Sequence, residues 1–408
     1  MSDERLLVQL ASYNTNLQAE RGLPQDLVDW LAPTLQASNF LSQAPRAPDI
    51  VAVGFQELLP LHIGLSGFSN SVIENRNSLI LSQIEEHAPN KEKYALIAKV
   101  VNVGIALLWT GCGPAYMGNK GAVGVRFRVR GQDGGIGEVY TFVCAHLTAH
   151  SHKLAHRIAD YHHIVGSLLF PPLPGSSSNE STTIYSTSHL FFFGDLNFRL
   201  EPPTLPDPKK LSASIDAILA DGVREQLKDY DQLVQERDQK KSIFVGFREG
   251  EFWKFKPTYK YKLGQVDKYD LKRMPAWTDR IMYATHTDSP DTPQRSSITN
   301  SLYTSIPSYT SSDHKPIVSV LLLPPPLPNT DQIIPLLRLP PTYSPRPDSY
   351  ANLKKYTGRT LDRIIGYTWW LFTLISSGPG LLGMLSIGLF SWLRWRGGYV
   401  RIEETADV

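Results

Sequence analysis

The stretch FGDLNFR at residues 193–199 decides how this chain must fold, because it places an acid, an amide and a base directly after the apolar run from His189 to Phe193. A second polar stretch, SSDHKP at residues 311–316, stands directly before the apolar run 317–323. Carboxylate, amide and imidazole groups at the ends of buried strands cost free energy, and the usual compensation is a site that uses them. Together the two stretches supply groups that can activate a water molecule and stabilise a phosphoryl group.

Strand-like runs alternate with helix-like runs from residue 5 to about residue 323, which predicts a mixed α/β domain with long strands. The predicted strands are Leu6 to Ser12, Ile50 to Phe55, Val100 to Trp109, Ala122 to Val129, Val139 to Ala145, Leu190 to Phe193, Arg280 to Tyr283 and Ile317 to Leu323. The predicted helices are Gln25 to Ser38, Asn70 to His87, Lys153 to Leu169 and Leu211 to Glu236. Two segments rich in Pro, Ser and Thr, 171–188 and 288–312, are interpreted as surface insertions.

The composition sets limits on the kind of protein this is. Of 408 residues, 42% are hydrophobic and 20% are charged, which is enough apolar material for a sizeable core. Lys and Arg total 41 against 39 for Asp and Glu, so a broad nucleic-acid-binding surface is not expected. The two cysteines, Cys112 and Cys144, lie in apolar runs and are interpreted as buried thiols in a reducing compartment. The polar N-terminus, Met1 to Arg5, lacks an apolar signal region, so we expect the body of the protein in the cytosol.

The C-terminal part of the chain has a different composition. Residues 364–395 hold no charge until Arg394, which passes the usual threshold of about 18 apolar residues for a membrane span. Tryptophans flank this run and basic residues lie on both sides of it, as at membrane interfaces. A single tail-anchoring span is predicted, with a re-entrant hairpin around Gly378-Pro379-Gly380 or a buried core helix as alternatives. The predicted organisation is an α/β domain over 1–323, an extended Pro-rich linker over 324–350 and a membrane-anchoring tail over 351–408.

Oxygen-bearing side chains close the first two predicted strands. Asn14 and Asn16 follow the first strand, and Glu57 follows the second. Mg²⁺ takes hard oxygen ligands, with one or two carboxylates and several waters, so these three residues are candidate magnesium ligands. Taken alone, Glu57 is better interpreted as a carboxylate at a helix N-terminus.

Several further segments carry groups suited to binding anions. The loop GNKG at 118–121 places Lys120 between backbone amides, which suits a phosphate contact. The segment KFKPTYKYK at 254–262 interleaves basic and aromatic groups, although a solvated strand edge with extended lysines would look the same. In PAWTDRI at 275–281, an Asp-Arg pair opens an apolar strand and suggests an oriented network.

Six histidines lie between His146 and His163. A zinc cluster is one interpretation, but the spacing offers no cysteine or clear carboxylate partner, and most of the rings would lie on different faces of one helix. We expect His146, at a strand end, to belong to the site. The histidines at 152, 156, 162 and 163 are interpreted as surface or packing residues.

These motifs, in this order, closely resemble those of the inositol polyphosphate 5-phosphatases, which belong to the DNase I-like, Mg²⁺-dependent phosphoesterases. The matching set is Asn14, QE at 56–57, GNKGAV at 118–123, HLTAH at 146–150, FGDLNFRL at 193–200, PTYKY at 257–261, PAWTDRI at 275–281 and SDHKPI at 312–317. The resemblance covers roughly residues 5 to 325. It implies a four-layer α/β/β/α sandwich with the site at the strand ends, here followed by a C-terminal transmembrane or re-entrant apolar segment.

The resemblance also implies roles for individual residues. Glu57, with Asn14 and Asn16, would hold Mg²⁺, and Asp195 would orient and deprotonate the attacking water. Asn197 would hold that water or a phosphoryl oxygen, and His146 would contact another phosphoryl oxygen. His314, oriented by Asp313 or Asp279, would bind the phosphate. The water would attack in line without a phosphoenzyme, and positioning and charge neutralisation would carry most of the rate.

Substrate recognition in the family relies on a basic pocket for the neighbouring 4-phosphate. By position this pocket would be formed by Tyr259, Lys260, Lys272 and Arg273, with Asn119 and Lys120 at the inositol headgroup and His150, Arg199 and Arg280 as further substrate contacts. The chain departs from the family pattern at Thr278, where Cys is frequent, and in the helix after HLTAH, where HRIADY (156–161) only partly matches a charged signature. At Leu271 a basic residue is absent, which weakens the case for 4-phosphate selection.

The function implied is Mg²⁺-dependent removal of the 5-phosphate from phosphatidylinositol 4,5-bisphosphate at a membrane. A catalytic domain with an apolar tail resembles the small tail-anchored fungal phosphoinositide 5-phosphatases, so we expect a cytosol-facing protein of the endoplasmic reticulum. A phosphodiesterase of the same superfamily is one alternative, against which the net charge and the motifs argue. A catalytically inactive phosphoinositide tether is another, but it predicts loss of Asp195, Asn197 or His314, and all three are present. The sequence identifies no protein partner.

Overall fold

The computed structural model describes residues 5–17, 30, 46–68, 70–100, 109–129, 137–173, 179–201, 219–326, 334–376, 383, 385–389 and 391–392. The strands are β1 (Leu7–Asn14), β2 (Ile50–Gln56), β3 (Trp109–Gly111), β4 (Gly121–Val129), β5 (Glu138–His146), β6 (His189–Asp195), β7 (Arg248–Glu249), β8 (Asp279–Thr285), β9 (Thr299–Ser305) and β10 (Ile317–Leu322). The helices are α1 (Leu61–Ser66), α2 (Asn70–His87), α3 (Leu154–Ser167), α4 (Asp221–Leu227), α5 (Gln232–Val234) and α6 (Ala351–Ser376).

The strands form two sheets whose registers align the polar strand ends. One sheet has the order β2-β1-β10-β9 and the other the order β3-β4-β5-β6-β8-β7. Neighbours pair antiparallel except β1 with β2 and β5 with β6, which are parallel. In the larger sheet, His146 pairs with Asp195 and Asp195 pairs with Asp279. Three polar residues that are distant in sequence therefore lie side by side at one edge.

Alternation along the strands builds four layers. In β6, Phe191 and Phe193 join the core between the two sheets, whereas Leu190 and Phe192 join the core beneath α3. On the far side of the smaller sheet, alternate residues of β1 pack with Ile84 of α2. Because side chains of a strand point alternately to opposite faces, an uninterrupted apolar strand serves two cores. The predicted mixed α/β class is confirmed, with helices on the outer face of each sheet.

Some predicted elements differ from the structure or lie outside the described residues. The predicted helix Gln25 to Ser38 lies outside the described residues except for Trp30, as does the predicted strand Val100 to Trp109 except for its ends. The described part of the predicted helix Leu211 to Glu236 is not one helix. The carboxylate of Asp231 accepts hydrogen bonds from the backbone N–H groups of Leu233 and Val234, both at 3.1 Å, and so begins a new turn after α4.

The two predicted surface insertions are wrong in part. Residues 299–305 form β9, which pairs with β10 at the edge of the smaller sheet and carries polar side chains because much of it faces solvent. Within 171–188, Thr187 and Ser188 are fully buried, and the hydroxyl of Ser188 accepts a hydrogen bond from the backbone N–H of Val139 at 3.0 Å. Local composition did not predict either feature, because both depend on hydrogen bonds with other segments of the chain.

The described part of the Pro-rich segment does not extend away from the domain. The backbone N–H of Leu337 donates to the carbonyl of Thr187 at 2.9 Å, and that of Asp348 donates to Gly166 at 2.8 Å. Leu337, Leu339 and Tyr343 pack against the core beneath α3. The segment therefore returns the chain to the domain and places α6 against α1 and the turn at Pro114–Tyr116.

Within the described residues, no helix is both long and apolar enough to cross a membrane. Residues 364–376 of the predicted apolar segment form the second half of α6, and much of the remainder lies outside the described residues. The predicted span is therefore not confirmed. Both cysteines are free thiols, as predicted, but each is half-buried and not fully buried.

A buried polar triad lies at the other end of these strands in the larger sheet, opposite to the end that carries His146 and Asp195. Glu138, at the start of β5, contacts the Nε2 atoms of His189 and His286, each at 3.0 Å. Burial alone would raise the pKa of Glu138, but these two hydrogen bonds hold it well below its usual range. Burial lowers the pKa of His189. The folded state therefore favours an ionised Glu138 carboxylate and a neutral His189 imidazole.

Both shifts predict that acid weakens the fold. A depressed histidine pKa contributes stability that is lost as pH falls below about 6.5, and a depressed Glu pKa contributes stability that is lost below about 4.3. We expect Glu138→Gln to lower the free energy of unfolding at pH 7 by about 2 kcal/mol, because an amide cannot accept from both rings. The loss of stability between pH 5 and pH 3 should also become shallower.

Urea denaturation at pH 7, 5 and 3 measures both effects. The control is Glu225→Gln, whose side chain is 63% exposed and which should change stability by less than about 0.5 kcal/mol. If Glu138→Gln and the wild type have the same free energy of unfolding at each pH, the triad adds no stability.

Candidate active site

The tight approach of β5 and β6 brings the first polar groups together. Gly194 has φ +136°, and a Cβ built there would lie 2.0 Å from the carbonyl oxygen of Ala145. Only glycine fits this position without strain, so the strands close at the point where Asp195 and His146 emerge. The backbone N–H groups of Leu196 and Asn197 then donate to the carbonyl of Thr278, which fixes the turn against the start of β8.

Asp195 is the centre of the site and is 1% exposed. Its Oδ2 accepts a hydrogen bond from Asn14 Nδ2 at 2.9 Å and lies 3.2 Å from His146 Nε2. Its Oδ1 accepts from the backbone N–H of Asn197 at 3.1 Å. Burial would raise the pKa of Asp195, but the charge of His314 and the hydrogen bond with His146 hold it well below its usual range. Asp195 is therefore an ionised acceptor enclosed by donors.

The structure decides between the two carboxylates expected to orient His314. The Nδ1 atom of His314 lies 2.9 Å from Asp279 Oδ2, whereas Asp313 bonds the ammonium of Lys260 at 2.9 Å instead. Burial would lower the pKa of His314, but the charges of Asp279 and Asp195 raise it to about 9. The ring is thus an imidazolium at neutral pH. Its Nε2 lies 3.9 Å from Asp195 Oδ2, too far for a hydrogen bond, so this N–H points at the site.

The residues that hold Asp279 were missed by the sequence analysis. The hydroxyls of Thr258 and Thr278 donate to Asp279 Oδ2 at 2.6 and 2.9 Å. Ser312 donates to the backbone carbonyl of Asn14 at 2.7 Å and ties the SDH segment to β1. All three lie inside recognised motifs, so their positions were the available signal. Thr278, where the family often has Cys, supplies one of the two hydroxyl donors.

Glu57, Lys120 and His146 form the second part of the site. Glu57 Oε1 lies 3.5 Å from Lys120 Nζ and 3.6 Å from His146 Nε2, and its side chain is 28% exposed. Lys120 Nζ also contacts His146 Nε2. Burial lowers the pKa of Lys120 despite the nearby carboxylates. Glu57 is therefore a partly exposed carboxylate next to the nitrogen atoms of Lys120 and His146.

Asn197 and Arg199 are more enclosed than expected. The amide of Asn197 donates to the carbonyl of Leu147 at 3.1 Å, and its oxygen accepts from the guanidinium of Arg199. The guanidinium of Arg199 also lies over the ring of Tyr259, 4.4 Å from its centroid, and that ring packs 4.5 Å from the His314 ring. Asn197 therefore keeps at most one amide hydrogen for a substrate oxygen. Arg199 and Tyr259 support the loop and the imidazolium.

A cleft of about 420 Å³ opens beside these groups. Its lining includes Asn16, Lys260, Lys272 and Asp313, which were all predicted as site residues. In this lining three lysines, Lys260, Lys262 and Lys272, outnumber the two aspartates, which makes the cleft suitable for a second anionic group next to the reacting one.

Further predicted residues lie at the rim. Asn119 and Lys272 are exposed, and the exposed Arg273 lies with its Nη1 3.2 Å from His150 Nδ1. The remaining histidines of the 146–163 segment do not converge: His163 Nε2, for example, lies 3.0 Å from the hydroxyl of Thr110. The zinc interpretation therefore has no geometric support.

Arg280 was predicted to contact substrate, and this prediction is wrong. Its side chain is fully buried and pairs with Asp231 at 2.9 Å and with Glu249 at 2.6 Å. Its guanidinium also stacks on Phe252, 3.7 Å from the ring centroid. Asp231 and Glu249 hold the pKa of Arg280 well above its usual range even though burial lowers it. Arg280 is a structural cation on the opposite face of β8 from Asp279.

The donor atoms at the site fit a hard divalent cation. Glu57 offers a partly exposed carboxylate, and Asn14 Oδ1 and the rim residue Asn16 offer amide oxygens close to it in the fold, because β1 and β2 end together. Asp195, Asp279 and His314 also present ligand atoms within 4.8 Å of one another. Since His314 Nδ1 is already bonded to Asp279, the Glu57 side is the better metal position.

Comparison with known sequences shows which proteins this chain is similar to. Residues 96–320 match the endonuclease/exonuclease/phosphatase family 2. The chain is 31% identical over 305 residues to type II inositol 1,4,5-trisphosphate 5-phosphatase of Mus musculus, with 69% of this chain and 27% of that protein covered. It is 29% identical over 310 residues to synaptojanin-2 of Rattus norvegicus, with 69% of this chain and 19% of that protein covered. The chain thus spans well under half the length of these relatives.

The fold is shared with a solved structure. The inositol polyphosphate 5-phosphatase domain of SPsynaptojanin, in complex with inositol (1,4)-bisphosphate and calcium, aligns with 88% of this chain and 90% of its own. The TM-score is 0.58 and the identity is 23%, so this likeness shows the architecture alone. Because the family match covers more than half of the sequence, the chain belongs to the endonuclease/exonuclease/phosphatase family 2, and its sequence is similar to inositol polyphosphate 5-phosphatases.

Proposed function

We propose that this protein is a metal-dependent phosphomonoesterase that removes the 5-phosphate of phosphatidylinositol 4,5-bisphosphate by direct attack of water. The observation that carries the proposal is the pairing of an ionised Asp195 with an imidazolium at His314, 3.9 Å apart and each held by its own partners. A carboxylate acceptor and a cationic donor that lie side by side can bind an attacking water and a phosphoryl oxygen, respectively.

Mg²⁺ is the proposed metal. Glu57 would hold it, with amide oxygens of Asn14 or Asn16 and water completing the shell. Bound there, a divalent cation would neutralise charge on the phosphoryl oxygens. Lys120, 3.5 Å from Glu57, would add a second positive charge on the same side.

The chain's own residues divide the remaining work. Asp195 accepts a hydrogen bond from the attacking water, orients it and takes its proton as the bond to phosphorus forms. The bond between phosphorus and the inositol 5-oxygen breaks in the same step, and the departing oxygen takes a proton from solvent. Its depressed pKa makes it a weak base, so orientation is its larger contribution. His314 donates Nε2–H to a phosphoryl oxygen, and His146, held at 3.2 Å from Asp195, lies within reach of another. Lys260 and Lys272 in the cleft bind the neighbouring 4-phosphate.

The role of His314 predicts a specific pH profile. Because the charge of Asp279 raises the pKa of His314 to about 9, Asp279→Asn should move the alkaline limb of kcat/KM to lower pH by about 1 to 2 units. Activity at pH 8 should fall about 2- to 10-fold, with a smaller loss at pH 6. The measurement is kcat/KM from pH 5 to pH 10.

Asp313→Asn is the matched control, since it changes an adjacent carboxylate that bonds Lys260 instead of His314. Its alkaline limb should stay within about 0.5 units, while KM rises through the loosened Lys260. An unmoved limb in Asp279→Asn would contradict the imidazolium.

The substrate and regiochemistry are tested by phosphate release from short-chain phosphatidylinositol 4,5-bisphosphate, with Mg²⁺ and with chelator. We expect Mg²⁺-dependent release that yields phosphatidylinositol 4-phosphate. Asp195→Asn should lose on the order of 10²-fold or more in turnover and keep headgroup binding. Asp291→Asn, on an exposed loop, should retain full turnover.

Parallel assays with inositol 1,4,5-trisphosphate and with a phosphodiester separate the neighbouring substrate classes. Headgroup binding without phosphate release would contradict the enzymatic proposal, and preferential cleavage of the diester would contradict the monoester proposal.

A lipid substrate is favoured by the second half of α6. Its aromatic and apolar side chains are exposed, with Tyr367 at 48%, Trp369 at 45% and Phe372 at 63%. Phe68 beside α1 packs against Trp370, with the ring centroids 5.2 Å apart. The first half of the helix is basic. An exposed aromatic face that continues from a basic segment suits the interface of an anionic bilayer. We propose that this face and the apolar residues after it anchor the protein to the cytosolic leaflet of the endoplasmic reticulum, which fractionation against a reticulum marker would test.

Vesicle sedimentation tests the anchoring. The full chain should sediment with vesicles of phosphatidylcholine and phosphatidylserine, and deletion of 377–408 together with Trp369→Ser should reduce the bound fraction at least about 10-fold. Hydrolysis of a water-soluble short-chain substrate should change by less than about 3-fold, because α6 is retained. A truncated protein that still sediments, or a full chain that does not, would contradict the anchor.

A further inference from the structure

Helix α6 touches two loops that carry site residues. A Cβ built at Gly358 would lie 1.9 Å from the carbonyl oxygen of Tyr116, and one at Gly366 would lie 2.3 Å from the backbone nitrogen of Ser66. The helix backbone therefore lies directly on the turn before the GNKG loop and on α1. Since α1 follows Glu57 and the GNKG loop contains Lys120, one helix borders both segments.

Asp362 makes the most specific of these contacts. Its side chain is in the middle of α6, and the residue is 3% exposed. Both carboxylate oxygens accept from the backbone N–H of Gly118, at 3.1 and 2.9 Å, across 244 residues of sequence. On the next residue, Arg363 Nη1 donates to the carbonyl of Leu65 in α1 at 3.1 Å.

The energetics explain why this contact matters. A buried N–H without an acceptor costs about 1 to 3 kcal/mol, and a buried carboxylate with few partners is itself costly. Burying an apolar residue at 362 would cost less free energy than burying an acid, so the carboxylate acts mainly to fix the position of Gly118. Gly118 lies two residues before Lys120, whose ammonium must reach Glu57 and His146.

We propose that Asp362 is a positioning residue: by binding the Gly118 amide it holds Lys120 in the site, so that α6 is part of the catalytic unit. Its effect on turnover rests on the function proposed above, whereas its effect on the loop does not. Asp362 itself touches neither Lys120 nor any other proposed site residue among the described residues. It acts through the loop.

The first test measures the loop and needs no activity. In the full-length chain, hydrogen exchange of a peptide covering 113–121 should show a protected Gly118 amide. Asp362→Ala should speed its exchange by at least about 10-fold, and Asp362→Asn, which keeps one acceptor oxygen, by less. Thr360→Ala is the control, because Thr360 is on the exposed face of α6 and its hydroxyl donates to the carbonyl of Tyr356 in the same helix. A Gly118 amide that exchanges freely in the wild type, or equally in wild type and Asp362→Ala, overturns the proposal.

The second test is a double-mutant cycle on phosphate release. Asp362→Ala should lower kcat/KM about 10-fold, mainly through KM, and Asp362→Asn should recover most of the loss. In a Lys120→Ala background, Asp362→Ala should cost less than about 2-fold, because the residue it positions is gone. Equal losses in both backgrounds would mean a general structural role and overturn the proposal. If Asp362→Ala fails to fold, the proposal is decided by the same cycle with Asp362→Asn and by hydrogen exchange at the Gly118 amide of the wild type. A wild type without phosphatase activity refutes the proposed function and leaves the exchange result standing.

Discussion

The buried charge of Asp195 is the constraint on which the site depends. Its partners come from both sheets: Asn14 from β1 of the smaller sheet, and His146 from β5 of the larger one. A buried carboxylate without such donors would cost several kcal/mol, so the site can exist only when the two sheets pack with their strand ends level. The apolar residues between the sheets drive this packing, and the polar groups fix its register. Folding and the assembly of the site are therefore one event.

Strand alternation explains why one motif serves two purposes. Asp279 and Arg280 are consecutive in β8 and must face opposite sides of the sheet. Asp279 faces the site and charges His314, whereas Arg280 faces away and neutralises Asp231 and Glu249. The prediction that Asp279 orients His314 while Arg280 contacts substrate placed two consecutive strand residues on the same side of the sheet, and the sequence pattern alone already argues against this. The buried Arg280 cluster keeps β8 in place and so supports Asp279 indirectly.

The parts of the fold that were predicted correctly rest on local signals. Long apolar runs predicted β1, β2, β4, β5, β6 and β10, and the polar residues at their ends predicted the convergence of Asp195, His146 and His314. The errors have long-range causes. The polar strand β9 is defined by pairing with β10, and Asp231, whose side chain caps the new turn after α4, is paired with the distant Arg280. Composition suggested that the Pro-rich segment extends away, but Leu337 and Tyr343 pack on a core formed elsewhere in the sequence.

Helix α6 changes how the site relates to a membrane. A flexible spacer would raise only the local concentration of the site near lipid, because it fixes no orientation. Instead, the first half of α6 is bound to the domain through Asp362 and Arg363, and the second half exposes its aromatic face. Both halves belong to one helix of 26 residues, about 39 Å long. If the exposed half lies at a bilayer, as proposed, the rigid helix sets the angle at which the cleft meets a lipid headgroup. Orientation then contributes to catalysis in addition to proximity, and the contact between Asp362 and Gly118 links that orientation to the loop that carries Lys120.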